Sequence, residues 1–174
     1  MEENEMNNDA AHKKGWQIFE VVVGLPFLAA IALQRILPIA LPHGLLTYVT
    51  ITAGVILALA GVIFVVLARQ EFARYGQPTD PGHTTSRILT TGVFSFSRNP
   101  LYLGGILFLA GISLAFRLTW GLILLVPSVI ACHYILIVPE EKYLAEKFDE
   151  QYREYKATVR RWVGRTVGSR EQDQ

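Results

Sequence analysis

Charge is scarce in this chain of 174 residues, and cysteine is almost absent. Asp, Glu, Lys and Arg make up only 18% against 51% hydrophobic residues, with a mean hydropathy of +0.31, which argues against an ordinary water-soluble fold. The lone cysteine, Cys132, excludes an intrachain disulfide. The four histidines (His12, His43, His83, His133) are scattered, no Cys/His spacing suits zinc, and no metal site is expected. A net charge of +1 gives no footprint for nucleic acid. There is no internal repeat, no low-complexity segment and no GxGxxG dinucleotide fingerprint, although a non-Rossmann nucleotide site needs none. A signal peptide is not expected either: the N-terminus is acidic (Glu2, Glu3, Glu5, Asp9), and the first apolar stretch is too long and lacks a convincing cleavage site.

The chain does carry long apolar runs. Four can be marked, at Ile18–Leu41, Leu45–Ala68, Leu101–Phe116 and Trp120–Val138. A span needs about 20 apolar residues, so the third is short and suits one arm of a tight hairpin. Of 16 Lys and Arg, all but Arg35 and Arg117 lie in the two tails or the central polar segment. With four spans these regions share one side, which the positive-inside rule makes cytoplasmic. The fold expected is all-α: a multi-pass membrane protein of about four transmembrane helices, with a C-terminal amphipathic helix, a cytoplasmic cofactor pocket and both termini in the cytoplasm.

The expected organisation is a disordered tail (1–14), two membrane helices (15–68), a core (69–162) and a flexible C-terminal tail (163–174). Pro42-His43-Gly44 is expected to turn tightly into the second span, whose Gly54 and Gly61 allow close helix approach. From Arg69 to Arg98 the chain is polar, and Gly76, Pro78, Pro81 and Gly82 break any continuous helix there. A loop of this length in a small protein is usually functional. Beyond Pro139, Leu144, Phe148, Tyr152, Tyr155, Val159 and Trp162 recur every three or four residues, as on an amphipathic helix, and Asp149 with Arg153 makes a favourable i,i+4 pair.

The residues with chemistry gather at Arg98-Asn99-Pro100 and Glu140-Glu141. Polar groups at a lipid boundary tend to face a cavity or ligand. Pro100 fixes entry into the third span and biases Asn99 away from helix, leaving backbone N–H groups for an anionic partner. Arg98 taken alone reads first as a headgroup anchor. Tyr102 adds an aromatic surface and Gly104 a place of close approach. Glu140 and Glu141 follow Pro139, suit the first turn of a helix, and point different ways, so at most one faces inward. His133 is the weak catalytic candidate, about 10 Å below Glu140 on the same face if the helix is unbroken. A hydrogen-bonded structural role suits it as well.

At these residues the chain resembles the isoprenylcysteine carboxyl methyltransferase family, in a bacterial-type form related to phospholipid methyltransferases. The resemblance rests on Gly92-Val93-Phe94, Arg98-Asn99-Pro100-Leu101-Tyr102-Leu103-Gly104, Glu140-Glu141 and Phe148, Tyr152, Tyr155, and it covers about residues 69–162. It implies S-adenosylmethionine (S-adenosyl-L-methionine) as cofactor. Carried over by position, the cofactor-binding candidates are Ile88, Leu89, Phe94, Asn99, Pro100, Leu101, Tyr102 and Glu140, with Arg98, Gly104 and Glu141 secondary. Asn99 stands where the family usually has His, and Phe94 where it has Tyr. Ser86 and Leu136 stand where eukaryotic members have the loop His and a substrate-contacting Arg, which puts a prenylcysteine carboxylate acceptor in doubt.

The implied activity is transfer of a methyl group to a lipid or lipidated acceptor, by carboxylate O- or amine N-methylation, in a bacterial cytoplasmic membrane. The competing readings are an NADPH-dependent membrane reductase of similar architecture and a non-catalytic membrane partner protein.

Overall fold

The computed structural model describes residues 17–40, 44–77 and 85–166, so the expectations for 1–14 and for most of the Pro42-His43-Gly44 turn lie outside the described residues. Every regular element is helical. A π-helical turn, Glu20–Gly24, leads into α1 (Leu25–Ile36). Then come α2 (Leu45–Arg74), a 3-10 turn at Gly92–Ser95 and α3 (Pro100–Ala115). The chain continues through α4 (Thr119–Cys132), a second π-helical turn (His133–Ile137) and α5 (Val138–Thr158). Among the described residues there is no strand, only one antiparallel bridge between Val159 and Arg165.

Two helical stretches are long and apolar enough to cross a membrane, fewer than the four expected. They are Leu45–Arg74, of 30 residues, and Thr119–Thr158, of 40 residues. The first apolar stretch yields only the 12 residues of α1 after its π turn, because Leu37 leaves helical geometry just before Pro38. The 16 residues of α3 reach about 24 Å, short of a hydrocarbon core of about 30 Å. α2 also runs two turns further than the apolar pattern suggests. Arg69 to Arg74 are helical, and the polar connection begins at Tyr75.

α2 and α3 pack antiparallel through small residues. A Cβ on Gly61 would sit 2.9 Å from Phe108 Cα, and one on Gly104 would sit 2.8 Å from the Gly61 carbonyl oxygen. Backbones this close leave no room for a side chain, so dispersion contacts along the whole face hold the pair. The other side of α2 is uncovered: Tyr48, Val49, Ile56 and Leu59 are exposed, Ile56 by 62%. A contiguous apolar surface of this kind needs a covering partner or lipid.

Both π-helical turns sit just before a proline. Pro26 and Pro139 lack the N–H that would bond residue i−4, and their rings crowd that carbonyl. The i−4 residues, Val22 and Ile135, lie inside the widened turns, which absorb the fault. Glu140 and Glu141 stand in the first turn of α5, as expected, although that turn continues from the π-helical turn rather than from a free helix end. α5 is interrupted at Asp149, whose φ of 41° and ψ of −109° turn the chain back over the helix ends.

Candidate functional site

The site is assembled where three chain segments meet at the polar end of the helices. The first is the connection from Thr91 to Pro100. Phe94 is buried in the 3-10 turn, its ring edge-on to Phe72 of α2 at 5.4 Å, and the Tyr155 hydroxyl donates to its carbonyl at 2.7 Å. Asn99 has φ −130° and ψ 55°, outside the helical region that Pro100 disfavours for it, and its carbonyl accepts the first helical bond from Leu103 N–H at 2.9 Å. Behind it, Gln77 and Ser86 clasp the stem of the polar connection with two bonds of 2.7 and 2.9 Å.

The second segment carries the two glutamates, and their environments differ. The Tyr102 hydroxyl donates to Glu140 Oε2 at 3.0 Å, joining α3 to α5. Burial pushes the Glu140 carboxyl up to about 6, with Glu141 adding to the rise and the Tyr102 hydrogen bond pulling back. Glu141 receives a bidentate fork from Arg161, 2.9 Å from Nε and 2.7 Å from Nη2, and pairs with Arg98 Nη1 at 3.2 Å. Burial alone would raise its carboxyl, yet the Arg161 hydrogen bonds and the Arg98, Arg161 and Lys156 charges outweigh it and hold Glu141 below the usual range. Both acids thus face inward, where the sequence allowed only one to do so.

The third segment is a strap, residues 159–166, that folds back across the first. Arg160 N–H bonds Gly164 carbonyl at 2.8 Å, closing a small hairpin. Gly164 N–H donates to Phe96 carbonyl at 2.8 Å, and Arg98 N–H to Arg160 carbonyl at 3.2 Å. Ser97 Oγ and Asn99 Nδ2 both donate to the Arg161 carbonyl at 3.3 Å. Trp162 packs on the core of Val23, Cys132, Leu136 and Ile137. Residues 163–166, assigned from sequence to a flexible tail, belong to this hairpin, and Thr166 N–H bonds Thr158 carbonyl at 2.9 Å.

The expected residues converge, but in different capacities. Tyr102 and Glu140 form a pair with polar atoms at the site. Ile88 packs against Tyr152, Tyr155 and Val159, whereas Leu89 and Leu101 pack with Ala68 and Phe94, so these side chains are spent in the core and only their backbones remain for a ligand. Pro100 is fully buried, and the Asn99 amide group is committed to the strap. Gly104 is buried against Gly61 and serves helix packing. Arg98 is no headgroup anchor: its side chain is 7% exposed, ion-paired to Glu141 and bonded to the Tyr152 hydroxyl at 3.3 Å. Burial and the nearby Glu141 push the Tyr152 phenol up to about 12, so it stays protonated.

His133 does not share a face with Glu140. A π-helical turn inserts one extra residue, which slips the register so that His133 meets the partner of Glu141 instead. Arg161 Nη1 lies 3.3 Å from His133 Nε2, so the imidazole edge is turned to the guanidinium.

Arg161 and the strap escaped sequence reasoning. Twenty residues separate Arg161 from Glu141, and nothing in an Arg160-Arg161 pair signals a buried carboxylate. A separate groove of about 470 Å³ lies on the other side of the 3-10 turn, between Phe64, Leu67, Glu71 and Arg74 of α2 and Val93 and Phe96. None of the expected cofactor residues lines it.

A family model described as phospholipid methyltransferase matches residues 49–151. No curated protein and no solved structure matches the chain. The matched segment contains α3, α4, Tyr102 and both glutamates and stops before the strap.

Proposed function

We propose, from the premise that the chain belongs to the phospholipid methyltransferase family of isoprenylcysteine carboxyl methyltransferase-like membrane enzymes, that it moves a methyl group from S-adenosylmethionine to a lipidic or membrane-associated acceptor. The observation that carries this reading is the 3.0 Å Tyr102–Glu140 bond between two helices of the matched segment, at the polar end of apolar helices. The residues present fit the cofactor. Its amino-acid portion bears an ammonium and a carboxylate. Glu140 is a partly open carboxylate. Arg98 Nε is a buried donor with no hydrogen-bond partner among the described residues, and such an orphan is costly unless a ligand answers it.

S-adenosylmethionine, when bound, supplies an electrophilic methyl group on a positively charged sulfur. Glu140 binds its cationic portion and Tyr102 holds the Glu140 carboxylate in orientation. The backbone of Ile88, Leu89 and Asn99–Leu101 offers hydrogen bonds along the opposite wall, with Phe94 packed behind. The strap keeps water from that wall. Alignment of donor and acceptor can supply about 7–11 kcal/mol in well-oriented systems. A carboxylate acceptor needs no proton removed. An amine acceptor must arrive neutral, and His133 does not serve as its base because Arg161 occupies Nε2.

The exposed apolar face of α2 supports insertion in a membrane. We place four segments there, with α1 and α3 as the short ones packed on the two long helices, and the basic tails and polar connection on the cytoplasmic side. The acceptor approaches from lipid and the cofactor from the cytoplasm.

The test is calorimetry on the purified chain in micelles, followed by incubation of membranes with methyl-labelled cofactor. Binding of S-adenosylmethionine that weakens at least about tenfold in Glu140→Ala, about 1.4 kcal/mol, is expected, together with label in the lipid fraction. A folded sample that releases no heat with the cofactor overturns the proposal.

A further inference from the structure

Residues 159–166 lie beyond the segment that the family model matches, yet they bond to Phe96–Asn99, Glu141 and His133. We propose, resting on the S-adenosylmethionine reading above, that this strap is an integral wall of the cofactor site and that Arg161 is its positioning residue, neutralising Glu141 so that Glu140 alone presents charge to the ligand.

The geometry gives Arg161 three tasks at once. Its carbonyl accepts from Ser97 Oγ and Asn99 Nδ2, both at 3.3 Å, and so fixes the segment that starts α3. Its guanidinium holds Glu141 through two of the three contacts that carboxylate makes with arginines, at 2.9 and 2.7 Å, whereas Arg98 supplies one at 3.2 Å. Its remaining nitrogen, Nη1, meets His133 and keeps the fork turned inward. A bidentate arginine–carboxylate pair of this kind fixes direction as well as charge. Lysine, a point charge on a flexible stem, cannot satisfy all of these contacts.

Glu140 is faced by Tyr102 from α3, Cys132 from α4, and Glu141 and Tyr152 on its own helix. Of these only Glu141 carries a charge at neutral pH by its ordinary chemistry. Removing Arg161 takes away the surplus positive charge of the Arg98–Glu141–Arg161 trio and leaves a balanced pair, so Glu140 feels more of the Glu141 charge and holds its proton to higher pH. A cationic ligand needs the carboxylate form, so its binding then begins at higher pH.

The experiment measures S-adenosylmethionine affinity by calorimetry from about pH 5 to 8, a range bracketing the titration of Glu140 near 6, in the full chain and in Arg161→Gln, Arg161→Lys and Glu141→Gln/Arg161→Gln. The wild type is expected to gain affinity as pH rises through about 6. Arg161→Gln is expected to bind roughly tenfold more weakly at neutral pH and to move that midpoint upward. Arg161→Lys is expected to recover the midpoint but not the full affinity. The double variant, in which Arg98 restores the wild-type surplus of one positive charge, is expected to return the midpoint to the wild-type value or below. A strap that merely stabilised the fold would lower the melting temperature in both glutamine variants and leave the midpoint alone, and that result overturns the proposal. So does a double variant whose midpoint stays as high as that of Arg161→Gln. Absence of cofactor binding in the wild type instead overturns the methyltransferase reading on which the proposal rests.

Discussion

The α2–α3 helix pair and the polar cap at its end are held together by opposite means. Along Gly54, Gly61, Gly104 and Gly111 the backbones approach so closely that shape alone fixes the pairing, with hardly a polar side chain between them. In the cap, Arg98, Glu141 and Arg161 meet in a charge network bridging three segments, and packing is secondary. The first arrangement tolerates loss of charge and fails on added volume. The second tolerates changes of volume and fails when one charge is left alone. A catalytic site benefits from the second kind, because fixed charges select both the ionic state and the direction of a ligand.

Replacement of one member of each region separates these modes. Glu141→Ala strands the buried Arg98 without its counter-charge, and a loss of about 3 kcal/mol is expected, the lower end for a broken buried pair because Arg161 reaches solvent. Chemical unfolding in micelles reads it, and a loss no larger than that of an exposed pair would show the cap to be held by packing. Gly61→Val places its new atoms against the Gly104 carbonyl and Phe108 backbone, which cannot step aside. A loss of about 1–3 kcal/mol is expected by the same measurement, and an unchanged unfolding midpoint would refute close backbone contact.

The adjacent glutamates sharpen the comparison through pH. The Glu140 carboxyl stands near 6 in the folded chain against an ordinary 4.5, so its favourable contribution is complete below 4.5 and is lost as pH rises through 6. Stability of Glu140→Gln relative to wild type should therefore improve across that interval, by roughly 2 kcal/mol. Glu141, held below its ordinary value, contributes above 4.5 and loses that contribution as pH falls through its folded value, so the penalty of Glu141→Gln should shrink in acid. Parallel pH curves for the two variants would contradict the difference in their surroundings. The smallest effect belongs to Tyr155→Phe, which removes the buried donor to Phe94 carbonyl. About 1 kcal/mol is expected in unfolding, together with faster amide exchange through the 3-10 turn.

The helix pair was largely legible in the sequence, since Gly54 and Gly61 recur within a pure apolar run and only close packing explains them. Asn99 before Pro100 was legible for a local reason as well: the proline ring restricts its neighbour whatever surrounds it. Tyr102 and Glu140 were each legible as candidates, but their hydrogen bond was not, because 38 residues separate them. The fate of Glu141 was not legible, since its principal partner lies on a strap that the amphipathic pattern reads as more helix. The break that sends the strap back is at Asp149, a residue with no glycine or proline to announce it. The π-helical turns were hidden too, although each has a plain cause in the proline two residues beyond it.

Asn99 and Arg161 are 62 residues apart, and the strap is made after everything it pins. On the ribosome the glycine-matched helices can pack together well before Arg161 exists, and during that interval Arg98 and Glu141 have only each other. The emergence of residues 159–166 thus closes the cap, and a chain halted before it carries a finished helix pair and an open cap that lacks one arginine. Quality control would meet that difference as a change in accessible backbone around Phe96 and Asn99, with the helix pair unaltered.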